Sequence, residues 1–336
     1  MIYNVNDLCY NSEGFFRFIY WGVETVDVTR FEVTFPASNG GHDIFACIWR
    51  DTDCKRYKAV IQLVHGMAEY ILRYEEFAVY LAKRGYVVCG NDHAGHGFSV
   101  EEESDHGYFG KRDNSWQYLI EDMNYLEGMM RLEYSDIPYF MLGHSMGSFL
   151  ARSYIASYGI KFDGAVFMGT AGKNPVIDAG IMLSKYLAGK NPKQKGHLVE
   201  KIAFGSFNKR IENPETNFDW ISTDMEMVRK YNNDEKCGFT FTNEGYRDLL
   251  LLLKSVNTKK WADSLPYNLP MLLISGADDP VGNYGKGVKQ VYASMVKSGC
   301  RNVEIKILHG ARHELLNEVK REKVYGILYN WFEKNI

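Results

Sequence analysis

The stretch that most narrows what this chain can become is Tyr139-Phe-Met-Leu-Gly-His-Ser-Met-Gly-Ser. Tyr139 to Leu142 are four apolar residues in a row, the pattern of a strand buried on both faces. Met146, Phe149, Leu150 and Tyr154 then recur at helical spacing, with Gly159 as the expected stop. A strand that passes into a helix through one residue forces that residue into a strained turn with positive φ. Here the residue is Ser145. Gly143 and Gly147 stand two before and two after it, where a Cβ would block the neighbouring backbone. Gly143-His-Ser-Met-Gly fits G-x-S-x-G, the turn that holds a serine hydroxyl at a sheet's edge and a helix N-terminus.

The flanking sequence predicts the sheet that such a turn needs. Thr29–Phe35 and Asp43–Trp49 alternate around the turn cluster Ser38-Asn-Gly-Gly-His, an antiparallel hairpin over about 30–50. Buried strands follow at Ala59–Val64, Tyr86–Gly90 and Phe162–Met168, with helices over about 74–84 and 116–134 between them. Strands alternating with helices give a mostly parallel central sheet covered on both faces, an α/β fold. From about 173 to 244 the rhythm breaks. Amphipathic pieces such as Val176–Leu187, several lysines and the breakers Asn191-Pro192 and Asn213-Pro214 replace buried strands. An insertion there, after a strand end beside Ser145, reads as a helical cap or lid. The alternation returns with a helix over about 245–256, strands at Met271–Ile274 and Val303–Leu308, and helices over 284–297 and 318–332. The expected organisation is an N-terminal extension at 1–28, a core at 29–172 and 245–336, and a cap at 173–244.

Composition enters by exclusion. A net charge of −3 gives no electrostatic case for nucleic acid. The six cysteines lack CxxC pairs and several sit in apolar runs, which suits reduced thiols in a cytoplasmic protein. The start, Met1-Ile-Tyr-Asn-Val-Asn-Asp, has neither the basic residues nor the apolar run of a signal peptide. The aromatic run Phe15–Trp21, interrupted by Arg17, is far shorter than the ~20 residues of a membrane span and is expected to pack on the core or else to touch a lipid surface.

A serine hydroxyl attacks only when a base takes its proton, and an imidazole base needs a carboxylate to fix its tautomer. Both follow in order. Asp278 and Asp279 lie just past the strand at Met271–Ile274, and His309 and His313 just past Val303–Leu308. His313 is the better base, because it lies deeper in a loop able to swing over Ser145. A developing oxyanion needs amide donors. The expected ones are the N–H of Met146, after the nucleophile, and that of Met67, in the loop His65-Gly-Met-Ala-Glu, which Glu69 would lock. His65, His93, His96 and His144 all fall at strand ends. Asp92, His93 and His96 lack the spacing of a metal site, so these imidazoles are expected to hold loops. No cofactor is implied.

His65-Gly-Met-Ala-Glu69, Asp92-His-Ala-Gly-His-Gly, Gly143-His-Ser-Met-Gly, Gly276-Ala-Asp-Asp and Arg312-His-Glu together resemble the monoacylglycerol lipase and lysophospholipase group of α/β-hydrolases, over about residues 58–335. The resemblance implies the α/β-hydrolase fold, Ser145 as nucleophile, Asp279 as acid, His313 as base, and Met67 and Met146 as oxyanion amides. It also implies a cap forming an apolar acyl tunnel and a single-acyl lipid ester as substrate. The second glycine loop departs from the family, since many relatives carry arginine before its glycine. Other uses of such a site are an aryl or feruloyl esterase, a prolyl-aminopeptidase-type peptidase, or a lipid-binding protein without catalysis. Prolyl aminopeptidases usually carry tryptophan after the nucleophile, where this chain has Met146. The apolar residues of 176–187, rimmed by Lys185, Lys190, Lys193 and Lys195, suggest peripheral contact with micelles or membranes.

Overall fold

The computed structural model describes residues 28–336, the side chain of Lys190 excepted. Before them it describes the backbone of short strands at Asn4–Val5, Tyr10–Asn11, Gly14–Phe15 and Tyr20–Thr25. Eight strands follow: β1 (Val28–Phe35), β2 (Ile44–Arg50), β3 (Val60–Val64), β4 (Val87–Asn91), β5 (Tyr139–His144), β6 (Gly164–Met168), β7 (Met271–Gly276) and β8 (Val303–Leu308). They lie in one sheet in the order 1-2-4-3-5-6-7-8. β2 runs antiparallel to β1 and β4, and β4 through β8 are parallel. Tyr20–Thr25 continues the sheet beyond β1, antiparallel to it, which gives part of the N-terminal extension a place. The side chains of the aromatic run Phe15–Trp21 lie outside the described residues.

Alternation along each buried strand sends successive side chains to opposite faces. Met141, Ala165, Phe167, Met271 and Leu273 join one apolar cluster, and Phe140, Leu142, Val166, Leu272 and Ile274 the other. Among the described residues, ten helices surround the sheet. They are α1 (Glu75–Ala82), α2 (Trp116–Glu133), α3 (Met146–Tyr158), α4 (Ile177–Lys190), α5 (His197–Phe204), α6 (Met225–Asn233), α7 (Asn243–Ser255), α8 (Lys259–Asp263), α9 (Lys286–Lys297) and α10 (Arg321–Lys334). α1 and α10 cover one face, and α2, α3, α8 and α9 the other. Each fully buried Phe, Leu or Ile contributes roughly 1.5–3 kcal/mol of transfer free energy. Among the described residues, no helix is long and apolar enough to cross a membrane.

Gly159 stops α3 as expected, capping a helix that ends at Tyr158, but not through a left-handed turn. Its φ is −60°, a 3₁₀ turn continues through it, and a Cβ would lie 2.9 Å from Pro266. Close approach, not backbone freedom, requires the glycine. α9 starts at Lys286 rather than Tyr284, because Asn283, Tyr284 and Gly285 all have positive φ.

The segment between β6 and α7 contains α4, α5, α6 and short 3₁₀ turns, and no element of the central sheet. α4 packs on α7. Leu183 and Leu187, grouped above with a lipid-facing surface, turn inward to the core, while Val176, Met182 and Tyr186 stay exposed. Lys193 and Lys195 are not a free rim either. Lys193 pairs with Asp105 at 2.6 Å and Lys195 donates to the His106 carbonyl at 2.8 Å. Arg152 of α3 ties the start of the segment to the end of α7. It donates to Thr170 Oγ1 (3.2 Å) and the Ala171 carbonyl (3.0 Å) on one side, and to the Val256 carbonyl and Asn257 Oδ1 (3.2 Å) on the other. It also lies over the Trp261 ring at 4.3 Å.

Candidate active site

Parallel strands end together, so the loops that follow β3, β5, β6, β7 and β8 converge on one edge. Ser145 closes β5 and opens α3 with φ 53° and ψ −121°, the strained turn that its spacing predicts. Such a residue costs about 1–3 kcal/mol and persists only where its surroundings hold it. Its amide donates to the Met168 carbonyl at 3.0 Å. A Cβ on Gly143 would strike the Gly147 backbone, and one on Gly147 the carbonyls of Val64 and His65. These two glycines permit the crossing of β3, β5 and α3.

Of the two aspartates after β7, Asp279 is fully buried and Asp278 is exposed. Asp279 Oδ1 accepts the Val281 amide at 2.8 Å, and its Oδ2 lies 3.2 Å from Ser275 Oγ and 3.0 Å from His313 Nδ1. The His313 N–H does not yet point squarely at the carboxylate. Hydrogen bonds of this kind often tighten only when substrate is bound. His309, the rival base, is exposed. The His313 ring rests on Gly169, which has φ 60° and whose Cβ would lie 3.0 Å from the imidazole Cε1. His144 lies 4.7 Å away and Trp220 5.1 Å, ring centre to ring centre.

The loop after β3 passes directly beneath Ser145: a Cβ on Gly66 would be 3.1 Å from the serine Cβ. Ala68 has φ 51°, and its carbonyl accepts from the Gly238 amide (2.9 Å) and Tyr231 Oη (3.0 Å). Met67 and Met146 both line the cavity described below. The Met146 amide is the first of α3, where no intrahelical acceptor exists.

Glu69 is buried and does hold this loop. Its Oε1 accepts from the Gly66 amide (2.6 Å) and Tyr74 Oη (2.8 Å), and lies 3.1 Å from His144 Nδ1. Arg73 donates to Glu69 Oε2 at 2.6 Å and makes a two-armed pair with Glu314 at 2.8 and 2.7 Å. Burial would lift the Glu69 carboxyl, but the His144 hydrogen bond and the Arg73 charge outweigh it and hold it below the usual carboxylate range. Burial would lower His144, yet Glu69 raises it. Its Nε2 faces the His313 carbonyl at 3.3 Å, so both ring nitrogens meet acceptors, which favours the cation. Glu69 is legible in the sequence as the lock of this loop, whereas Arg73 has no signal beyond its four-residue spacing from Glu69.

His65, His93 and His96 pack ring against ring behind the loop and do not enter the cavity. His65 Nε2 accepts the His93 amide at 2.9 Å, so its proton sits on Nδ1, facing the Gly66 carbonyl at 2.8 Å. Burial lowers all three imidazoles, His93 to about 4. Among the described residues, no three His, Cys, Asp or Glu side chains gather as a metal site.

A cavity of about 1330 Å³ opens over Ser145 and His313. Phe149, Leu249, Leu250, Leu253, Phe204 and Trp220 supply apolar wall, and Lys173, Val176, Lys201 and Ile202 stand at exposed positions of its lining. The arrangement can bring an apolar chain alongside a serine at a helix N-terminus, with an imidazole and a buried carboxylate behind it.

The family model described as serine aminopeptidase, S33 matches residues 55–320. The monoacylglycerol lipase of Mycolicibacterium smegmatis is 27% identical over 322 residues, covering 93% of this chain and 100% of that protein. The monoglyceride lipase of Rattus norvegicus is 25% identical over 280 residues, covering 83% and 82%. Among solved structures, a thermostable carboxyl esterase from Bacillus coagulans in complex with glycerol superposes with a TM-score of 0.84 at 30% identity, covering 91% of this chain and 98% of that one.

Proposed function

The chain belongs to the serine aminopeptidase S33 family of α/β-hydrolases, in its monoacylglycerol lipase and lysophospholipase group, and on that premise we propose that it hydrolyses single-acyl lipid esters, monoacylglycerols first. Ser145 is the nucleophile, His313 the base and Asp279 the carboxylate that orients it. Ser145 Oγ passes its proton to His313 Nε2 and bonds to the ester carbonyl carbon. The amides of Met67 and Met146 receive the developing oxyanion. The imidazolium returns the proton to the departing alcohol, and water repeats the cycle on the acyl-enzyme. Residues 173–244 act as the cap.

The observation that carries this reading is the cavity itself: one space shared by Ser145, His313, Met67 and Met146, with Phe149, Leu249, Leu250, Leu253, Phe204 and Trp220 as an apolar part of its wall. Each buried methylene contributes about 0.8 kcal/mol, so such a wall selects for a chain, and a second chain would have to share it. The exposed Val176, Met182, Tyr186, Leu198 and Ile202 support lipid contact at the cap, since Val176 and Ile202 also line the cavity. A cytoplasmic setting fits the unpaired thiols of Cys47, Cys89, Cys237 and Cys300.

A second reading, lysophospholipid, is favoured by Lys173 and Lys201 on the exposed lining, where a phosphate would sit. The test is kcat/KM for a monoacylglycerol, a lysophospholipid, a triacylglycerol and a proline amide in one detergent. The monoacylglycerol is expected to lead, and Ser145→Ala to lower kcat by roughly 10⁴–10⁶. A leading lysophospholipid selects the second reading. A leading proline amide, or more than a tenth of the rate left in Ser145→Ala, removes both.

A further inference from the structure

No motif singles out Trp220, yet this residue of the insertion touches the base. It sits in a 3₁₀ turn, Asp219–Ile221, and its indole lies across the His313 imidazole with ring centres 5.1 Å apart and planes inclined at 42°. The turn is fastened to the His313 loop from both sides of that histidine. Arg312 Nη1 donates to the carbonyls of Asp219 (2.7 Å) and Ser222 (2.8 Å), and the Glu314 amide donates to the Ile221 carbonyl at 2.6 Å. Further along, Ser222 Oγ donates to the Asn317 carbonyl at 2.9 Å, and Thr223 bonds Glu318. The indole is also held from behind. Phe207 packs edge-on at 4.9 Å, and Asn208 Oδ1 accepts the Trp220 amide at 3.0 Å. So many bonds around one aromatic side chain fix where its face points.

We propose that Trp220 is a positioning residue for His313: its face bounds the imidazole beside Asp279 and limits its tilt, and favours the ring once it has become a cation. The inference rests on the reading of His313 as base. When Ser145 Oγ gives its proton to Nε2, a positive charge appears within about 6 Å of an indole face, the range over which the π quadrupole attracts a cation.

The other charged neighbours of the imidazole act from different elements. Asp279, on the loop after β7, favours the cation from 3.0 Å. His144, on the strand before Ser145, opposes it from 4.7 Å to the extent that Glu69 keeps that ring charged. On its own loop Arg312 and Glu314 are neighbours of opposite sign, with Arg312 taken up by the insertion's carbonyls and Glu314 by Arg73. The insertion adds no competing carboxylate through Asp219, whose side chain accepts the amides of Glu215 and Thr216. Trp220 is the insertion's contribution to the base.

Trp220→Leu and Trp220→Phe separate this role from simple filling. Leucine keeps water off the ring but has no π face, and phenylalanine keeps a weaker one. The measurement is the pH profile of kcat/KM for 4-nitrophenyl butyrate, normalised to sites titrated with a fluorophosphonate. The expected result for leucine is a roughly 2–5-fold lower kcat, a KM within twofold of wild type, and an acid limb displaced downward by about half a pH unit. Phenylalanine should fall between leucine and wild type. An acid limb that stays in place or moves upward, or a loss confined to KM, overturns the proposal and leaves Trp220 as cavity wall. If the leucine variant does not fold, the phenylalanine variant decides by the same limb. A wild-type enzyme that is not labelled by the fluorophosphonate removes the hydrolase reading itself, a failure visible before any Trp220 variant is made.

Discussion

Asp278 and Asp279 are neighbours in the chain and opposites in circumstance, one exposed and one sealed under the sheet edge beside His313. Asp279→Asn is expected to lower kcat/KM by about 10⁴-fold, because the amide favours the wrong imidazole tautomer. Asp278→Asn should remain within a few-fold of wild type. Steady-state assays of the two variants decide it, and a crippled Asp278→Asn would reverse the assignment. Ser145, Asp279 and His313 are legible in the sequence as candidates because each follows an apolar run that marks a strand end, and the structure brings Asp279 and His313 together. Glu314 and Arg73 are not, since 241 positions separate a pair that only the fold brings within 2.7 Å. Trp220 is silent for another reason: it stands in irregular backbone, where no period reports which way a side chain faces.

At the scale of elements, what repeats is readable and what bends is not. The strands β3 to β8 fall within a residue or two of their apolar runs. The inner and outer faces of α4 were partly exchanged, because Leu183 and Leu187 fit a lipid-facing stripe as well as a core-facing one, and only α7 beside them decides. Arg152 was unreadable as well. Nothing in α3 tells of a guanidinium that joins the start of the insertion to the end of α7. No carboxylate meets it, and burial lowers it to about 9, which leaves it charged at neutral pH. Arg152→Leu is expected to cost about 2–4 kcal/mol, because the carbonyls of Ala171 and Val256 lose their donor while buried. Arg152→Lys should recover only part, since an ammonium cannot bridge the two segments with a planar fork. Urea unfolding measures both, and a leucine variant as stable as wild type would deny the clasp.

The molecule as a whole carries buried acids and bases whose effects on stability run in opposite directions. Burial raises Asp92 and Asp248 to about 7, against an ordinary value of 3.8. Folded, they keep a proton that the unfolded chain has released, so their contribution is full below about pH 4 and is lost as pH rises through 7. His144, raised by Glu69 against burial, acts with the same sign. His65, His93 and His96 are lowered, so their contribution is present above the ordinary 6.5 and lost as pH falls toward 4. Stability should therefore peak near pH 6 and fall by about 1–3 kcal/mol by pH 8.5. Asp248→Asn should flatten the alkaline side, and urea midpoints at pH 6 and 8.5 in both proteins would show whether it does. The stitching of residues 219–224 to the His313 loop bears on descent and on engineering alike. An insertion joined only by its stems could be exchanged between relatives like a removable part. This one carries hydrogen bonds to the residues on either side of His313, the proposed base, so a transplanted insertion would bring its own alignment of that imidazole. Selectivity and turnover are then inherited together, and a chimera that exchanges 173–244 alone would change both.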